Sequence, residues 1–203
     1  NGIHSSHGND WFHLTEDDGL LSNDVTAGLI ISDNELYIGT AEGLSIYKDG
    51  RVENYVVPNT PKGSNFISVD VDEKNRVWFG TWEEGVNLLE SGHWITFTSD
   101  YDEELATVRS TKFSPDGSIM FNTVEGLIAY KDRDWKQHTR RSGLPDNDVR
   151  CGVVDTTGKY WIGTASGVSY RTNGTWKRVR TVHGHPSDDI WSCALDENGN
   201  VWF

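Results

Sequence analysis

One unit of about 41 residues recurs along the whole chain, and this period constrains the fold more than any other feature. The segment "YWIGTASGVSY" (160–170) has relatives at "LYIGTAEGLSIY" (36–47), "VWFGTWEEGVNLL" (77–89) and "IMFNTVEGLIAY" (119–130). The glycine after each short loop falls at Gly43, Gly85, Gly126 and Gly167, in steps of 42, 41 and 41 residues, and one step further back lands on Gly2. Nine residues after these glycines stand Trp11, Val52, Trp94, Trp135 and Trp176. A third landmark opens each unit: "VTAGLII" (25–31), "FISVDVD" (66–72), "VRSTKFS" (108–114), "VRCGVVD" (149–155) and "IWSCALD" (190–196).

Each unit holds four short β-type runs. In the fourth copy these are "DVRCGVVD", "YWIGT", "GVSYRT" and "TWKRVR", joined by "TTGK", "ASG" and "NG". Gly, Asn and Asp in the joins are what tight hairpins require, and no 3.6-residue pattern competes. A repeated four-stranded antiparallel unit of this length predicts an all-β fold of propeller blades. Two packed sheets would not keep so strict a period.

The phase of the repeat suggests how the blades close. With strands named A (inner) to D (outer), the chain opens on C and D of one blade and ends on A and B ("NVWF") of another. The halves are complementary, so the expectation is one domain over 1–203, a closed five-bladed propeller. Its blades lie near 18–60, 61–100, 101–141, 142–180, and 181–203 plus 1–17. Val201–Phe203 would pair antiparallel with Gly2–Ser6 in the mixed blade, leaving no free sheet edge. The rival reading is a five-repeat fragment of a larger propeller.

The consensus itself resembles a known family. "LPDNDVRCGVVDTTGKYWIGTASGVSYRTNGTWKRVR" (144–180) is similar to the two-component-regulator propeller repeat, through L-P-x-N-x-V, D-x-x-G-x-x-W-x-G-T-x-x-G-[LV] and the Trp of the last strand. All five copies carry part of the pattern, and the third departs most, with "MFNT" for "WxGT". The resemblance implies a ligand-sensing propeller of the kind found in the periplasmic part of bacterial hybrid histidine kinases, frequently for polysaccharide fragments. It implies a periplasmic or extracellular location and, as partners, signalling or other domains of a larger chain.

Composition narrows the function. The formal net charge is −13, which disfavours nucleic acid and anionic membranes as partners. No run of about 18 apolar residues predicts membrane insertion by this segment. Cys151 and Cys193 show no metal spacing and read as small buried residues in strands; two thiols do not define a redox state. "VHGHPSDD" (182–189) offers His183 and His185 in a D–A loop, a weak motif that reads as solvated loop. No catalytic, metal or cofactor site is assigned, and no cofactor is expected.

The repeat supplies its own control for finding a site. Trp11, Trp94, Trp135 and Trp176 share one template position and Trp78, Trp161 and Trp202 another, so these rings read as packing between sheets. Trp82, in the B–C loop, and Trp191, second residue of the last A strand, break the template. The residues just before the A strands include Asp24, Asp148 and Asp189, and those one step inside include Arg109 and Arg150. With Glu83, these form the candidate ligand-binding set: Trp82, Glu83, Arg109, Arg150, Trp191, Asp148, Asp189 and Asp24. Aromatic platforms among charged groups suit a sugar ring or another polar small ligand at the channel mouth. In the competing reading Trp191 is a plug, Trp82 a cap, and the arginines only pair with Asp148 and Asp189. The leading function is a non-catalytic ligand-binding sensor. The alternatives are a protein-interaction scaffold and a propeller hydrolase or lyase.

Overall fold

The structure, a computed structural model, describes residues 2–7, 10–32, 34–56, 66–72, 74–82, 85–90, 93–97, 107–114, 116–179 and 188–203. They divide into two compact units, 1–97 and 98–203. The first holds β1 (Ile3–His7) and β2 (Asp10–Leu14), then β3 (Val25–Ser32), β4 (Glu35–Thr40), β5 (Gly43–Lys48) and β6 (Arg51–Tyr55), then β7 (Phe66–Val71), β8 (Val77–Thr81), β9 (Val86–Glu90) and β10 (His93–Phe97). The second holds β11 (Val108–Phe113), β12 (Ile119–Thr123), β13 (Gly126–Lys131) and β14 (Asp134–His138), then β15 (Val149–Val154), β16 (Tyr160–Thr164), β17 (Gly167–Thr172) and β18 (Thr175–Arg178), then β19 (Ala194–Leu195) and β20 (Val201–Trp202).

The all-β architecture is the expected one. β3–β6, β7–β10, β11–β14 and β15–β18 are four-stranded antiparallel meanders, and β1–β2 and β19–β20 are two-stranded sheets. In the last copy the inner strand is shorter than its sequence suggests, because only Ala194 and Leu195 find ladder partners, at Trp202 and Val201.

The repeat motifs now have physical reasons. In "GT…G" the threonine hydroxyl donates to the carbonyl of the turn glycine: Thr40 to Gly43 at 2.9 Å, Thr123 to Gly126 at 2.8 Å and Thr164 to Gly167 at 2.8 Å. Those glycines have φ of 145°, 136° and 122°, where a Cβ is strained. The glycine before the threonine answers a second demand. A Cβ on Gly163 would stand 2.3 Å from Ile190 Cγ2 and 2.8 Å from Cys151 Sγ, so the next inner strand could not pack there. The third copy breaks this rule with Asn122, whose amide donates to Ser110 Oγ at 2.8 Å and accepts from Tyr160 Oη at 3.0 Å. Gly152 makes the room, since a Cβ there would meet both Tyr160 Oη and Asn122 Nδ2 within 3 Å.

"D-x-x-G-x-x-W" closes the A–B turn. Asp72, Asp155 and Asp196 accept the indole N–H of Trp78, Trp161 and Trp202, at 3.0, 2.7 and 2.9 Å, along with backbone amides of the turn. Burial pushes the Asp155 carboxyl up, but its bonds from Thr157, Trp161 and the turn amides outweigh this and hold it at about 2. "L-P-x-N-x-V" is equally local. Asn147 Oδ1 accepts from Arg140 N at 2.9 Å, pinning a 3₁₀ turn at Arg140–Ser142, while Leu144 is fully buried; Asn23 does the same for Glu16 at 3.0 Å.

The cores lie between successive sheets. In the first unit Leu44, Ile46, Phe66, Val77, Phe79 and Leu89 form one cluster, with Trp94 against it. In the second unit Met120, Leu127, Leu144, Val149, Tyr160, Ile162 and Trp176 form another. Each such side chain contributes about 1.5–3 kcal/mol on leaving water. The template tryptophans Trp78, Trp94, Trp135, Trp161 and Trp176 are buried or half-buried, as expected of packing. Trp11 and Trp202 are 75% and 63% exposed, which corrects that reading for the two-stranded sheets, whose faces carry fewer neighbours.

Candidate functional site

Each complete inner strand carries the same irregularity at its second residue. The register slips between Val25 and Ala27, Phe66 and Ser68, Val108 and Ser110, and Val149 and Cys151. Thr26, Ile67, Arg109 and Arg150 therefore occupy β-bulges, where the residue leaves the ladder and its side chain is re-aimed. Periodicity alone does not reveal this. Thr26 shows where the bulge points, because its hydroxyl donates to the carbonyl of Phe66, one repeat on.

In the second unit the same reach is made by charged groups. The Arg109 guanidinium lies 3.1 Å from Asp148 Oδ1. Arg150 Nε donates to Asp148 Oδ2 at 2.9 Å, and Arg150 Nη1 donates to Asp189 Oδ1 at 2.6 Å. Trp191 Nε1 donates to Asp189 Oδ2 at 3.1 Å, and its ring lies over the Arg150 guanidinium, 4.0 Å from Cζ to centroid. The result is a staircase across three copies, Arg109–Asp148–Arg150–Asp189–Trp191. The hydrogen bond to Asp148 raises the Arg150 pKa above its ordinary value, with Asp189 adding to it, so the cation is permanent. Two guanidinium groups face two carboxylates, and the cluster carries no net charge.

Five of the eight candidates are thus brought together: Arg109, Asp148, Arg150, Asp189 and Trp191. Their ion pairing is the one the competing reading required. Trp191 is 69% exposed. Asp24 and Trp82 belong to the first unit. Asp24 is exposed just before β3, its amide held by Ser22 Oγ at 3.1 Å, and Trp82 is 50% exposed after β8. Glu83, His183 and His185 lie outside the described residues. Among the described residues no group of three or more His, Cys, Asp or Glu is placed to hold a metal ion.

The cysteines correct the sequence reading. Cys151 and Cys193 form a disulfide, with Cα atoms 5.8 Å apart. Cys151 follows Arg150 and Cys193 lies two residues after Trp191, so one covalent link ties the strand of the cation to that of the indole. Signals existed, since the two cysteines sit one repeat apart, but spacing gives no distance.

Comparison with known proteins places this geometry in a fold. No protein-family model matches the chain, and no curated protein matches its sequence. Solved structures do match. The extracellular domain of the hybrid two component system BT3049 from B. thetaiotaomicron is 22% identical with a TM-score of 0.78, over 95% of this chain and 28% of that one. PorZ, a surface component of the type-IX secretion system of Porphyromonas gingivalis, is 18% identical with a TM-score of 0.76, over 99% of this chain and 35% of that one. Virginiamycin B lyase from Staphylococcus aureus is 13% identical with a TM-score of 0.73, over 89% and 62%. The chain thus spans about 28% of the first of these. It shares the β-propeller fold of such sensor domains. Among the described residues no helix is long and apolar enough to cross a membrane.

Proposed function

We propose that this chain is a non-catalytic, ligand-binding sensor propeller that recognises a carbohydrate or another polar small ligand at the Trp191 staircase. The observation that carries the reading is the state of Trp191: a large exposed ring held by a hydrogen bond from below and a guanidinium on one face. A pre-ordered ring gives up little conformational entropy on binding, and its apolar face suits the C–H surface of a sugar. The charge balance of the staircase favours a neutral, hydroxyl-rich ligand.

The sheets are, in this proposal, the blades of one propeller over 1–203, five in number, with β1–β2 and β19–β20 as complementary halves. The shared strand phase supports this. Protection from hydrogen exchange of the Phe203 amide, which lies beyond the β19–β20 ladder, is the expected result; exchange at the free-chain rate refutes the closure. The disulfide, and the extracellular sensor domains that share the fold, support a periplasmic or extracellular setting. Further domains of a longer chain are the expected partners.

The test is a titration of neutral oligosaccharides by calorimetry. Trp191→Ala should weaken binding by at least about tenfold, as loss of an aromatic anchor does, with the circular dichroism unchanged. Unchanged affinity in Trp191→Ala refutes the site. The glycan should be recovered intact; its cleavage or elimination would favour the hydrolase or lyase alternative.

A further inference from the structure

The second unit carries a cleft of about 510 Å³ at the other end of its sheets. It is framed by three hairpin turns: the A–B turn of the third copy with Ser114 and Asp116, the A–B turn of the fourth with Thr157 to Lys159, and the C–D turn with Thr172 to Gly174. Met120 and Tyr160 form its floor. The staircase lies at the start of β15 and these turns at its end, so about 20 Å of strand separates them.

The charge of this cleft opposes that of the chain. Lys159 and Arg171 line it, in a protein of net charge −13. Neither makes an ion pair among the described residues. The Lys159 ammonium rests 5.7 Å from the Tyr170 ring centroid, and Arg171 Nε is buried without an acceptor. Arg109 and Arg150, on the inner strands, each have a carboxylate partner. A guanidinium in a cleft without an anion is an unmet demand, because its desolvation is not offset. The one carboxylate present, Asp116, is already engaged by the Ser118 amide at 2.9 Å, and the nearby Lys131 helps hold it ionised. Lys159, Arg171 and Lys131, whose ammonium donates to the Asp116 carbonyl at 2.6 Å, outnumber that carboxylate, so the cleft is net positive. Hydroxyls of Ser114 and Thr172 and the Asn173 amide surround it.

We propose that this cleft is a second, independent binding site for a small hydroxylated monoanion. Arg171 and Lys159 take its charged group, and Asp116 and the turn hydroxyls take its hydroxyls. The planar fork of Arg171 suits a carboxylate, which can meet two parallel N–H donors at once. The volume falls in the range of sites that enclose small ligands.

The experiment titrates glucuronate, glucose and glucose 6-phosphate into the protein by calorimetry at low and moderate salt. Glucuronate should bind, weaken with salt, and bind more tightly than either comparator. Arg171→Gln should weaken it by at least about tenfold, the usual cost of losing a charge-assisted pair. Lys159→Gln should give a smaller loss in the same direction, and serves as the second variant if Arg171→Gln proves unstable. Trp191→Ala should leave glucuronate binding unchanged, which separates this site from the staircase. No heat with glucuronate, equal binding by Arg171→Gln and Lys159→Gln, or loss in Trp191→Ala instead would each overturn the proposal. Tighter binding of glucose 6-phosphate would overturn the choice of a carboxylate.

Discussion

Opening the Cys151–Cys193 link is the most direct perturbation of the staircase that leaves its side chains in place. The bridge closes a loop with a sequence separation of 42 residues, spanning the fourth and fifth copies. In the chain-entropy description, a loop of this length removes about 13 cal/mol/K from the unfolded ensemble, or about 4 kcal/mol at room temperature. Besides the link, the last copy is held by the Arg150–Asp189 pair, by the Ile190 amide on the Thr164 carbonyl, and by a β19 of only two residues. Cys151→Ala with Cys193→Ala should therefore lower the unfolding free energy by about 4 kcal/mol, with local strand contacts intact at first. The assay is urea unfolding followed by tryptophan fluorescence, for wild type with and without reductant and for the double variant. The reduced wild type and the double variant should coincide, both below the oxidised protein. Thiol titration of the unfolded, unreduced chain should find no free cysteine. Two titratable thiols, or a midpoint indifferent to reductant, would refute both the link and the reasoning built on it.

Other consequences are as specific. Burial, followed by the charges of Arg171 and Lys136, pushes the His138 pKa down to about 4. The folded state then takes up its proton later than the unfolded state, so stability should fall as pH drops from about 6.5 towards 4; NMR titration of His138 in the neutral range would contradict this. Trp78 is fully buried and Trp202 is 63% exposed at the same template position. Trp78→Ala should cost about 3–5 kcal/mol and Trp202→Ala a small fraction of that, measured as unfolding midpoints. Gly163→Ala places a methyl 2.3 Å from Ile190 Cγ2, and should destabilise by about 1–3 kcal/mol through overpacking; a variant as stable as wild type would show that β16 and the segment of Ile190 are not so close.

The folding unit was legible because its chemistry is local and written five times over. Gly43, Gly126 and Gly167 mark turns by their positive φ, and Thr40, Thr123 and Thr164 reach only three residues to close them. The exposure of Trp11 and Trp202 was not legible, since equivalent positions in a repeat have equivalent neighbours only when four strands surround them.

The period, the four-strand unit and the residues that break its pattern are thus properties of the sequence by itself, because hairpins form between residues a few positions apart. The pairing of Arg109 and Arg150 with Asp148 and Asp189 was one of the two readings the sequence offered, whereas the inner-strand bulges, the stack of Arg150 on Trp191, the disulfide and the cationic cleft belong to the tertiary structure alone. The stack, the disulfide and the cleft join groups one repeat apart, and the pairs that meet depend on how sheets stack, which no run of adjacent residues encodes. Arg150 makes the point: in the sequence it is a charged residue in a strand, and only the bulge and the next copy turn it into the support of an exposed indole.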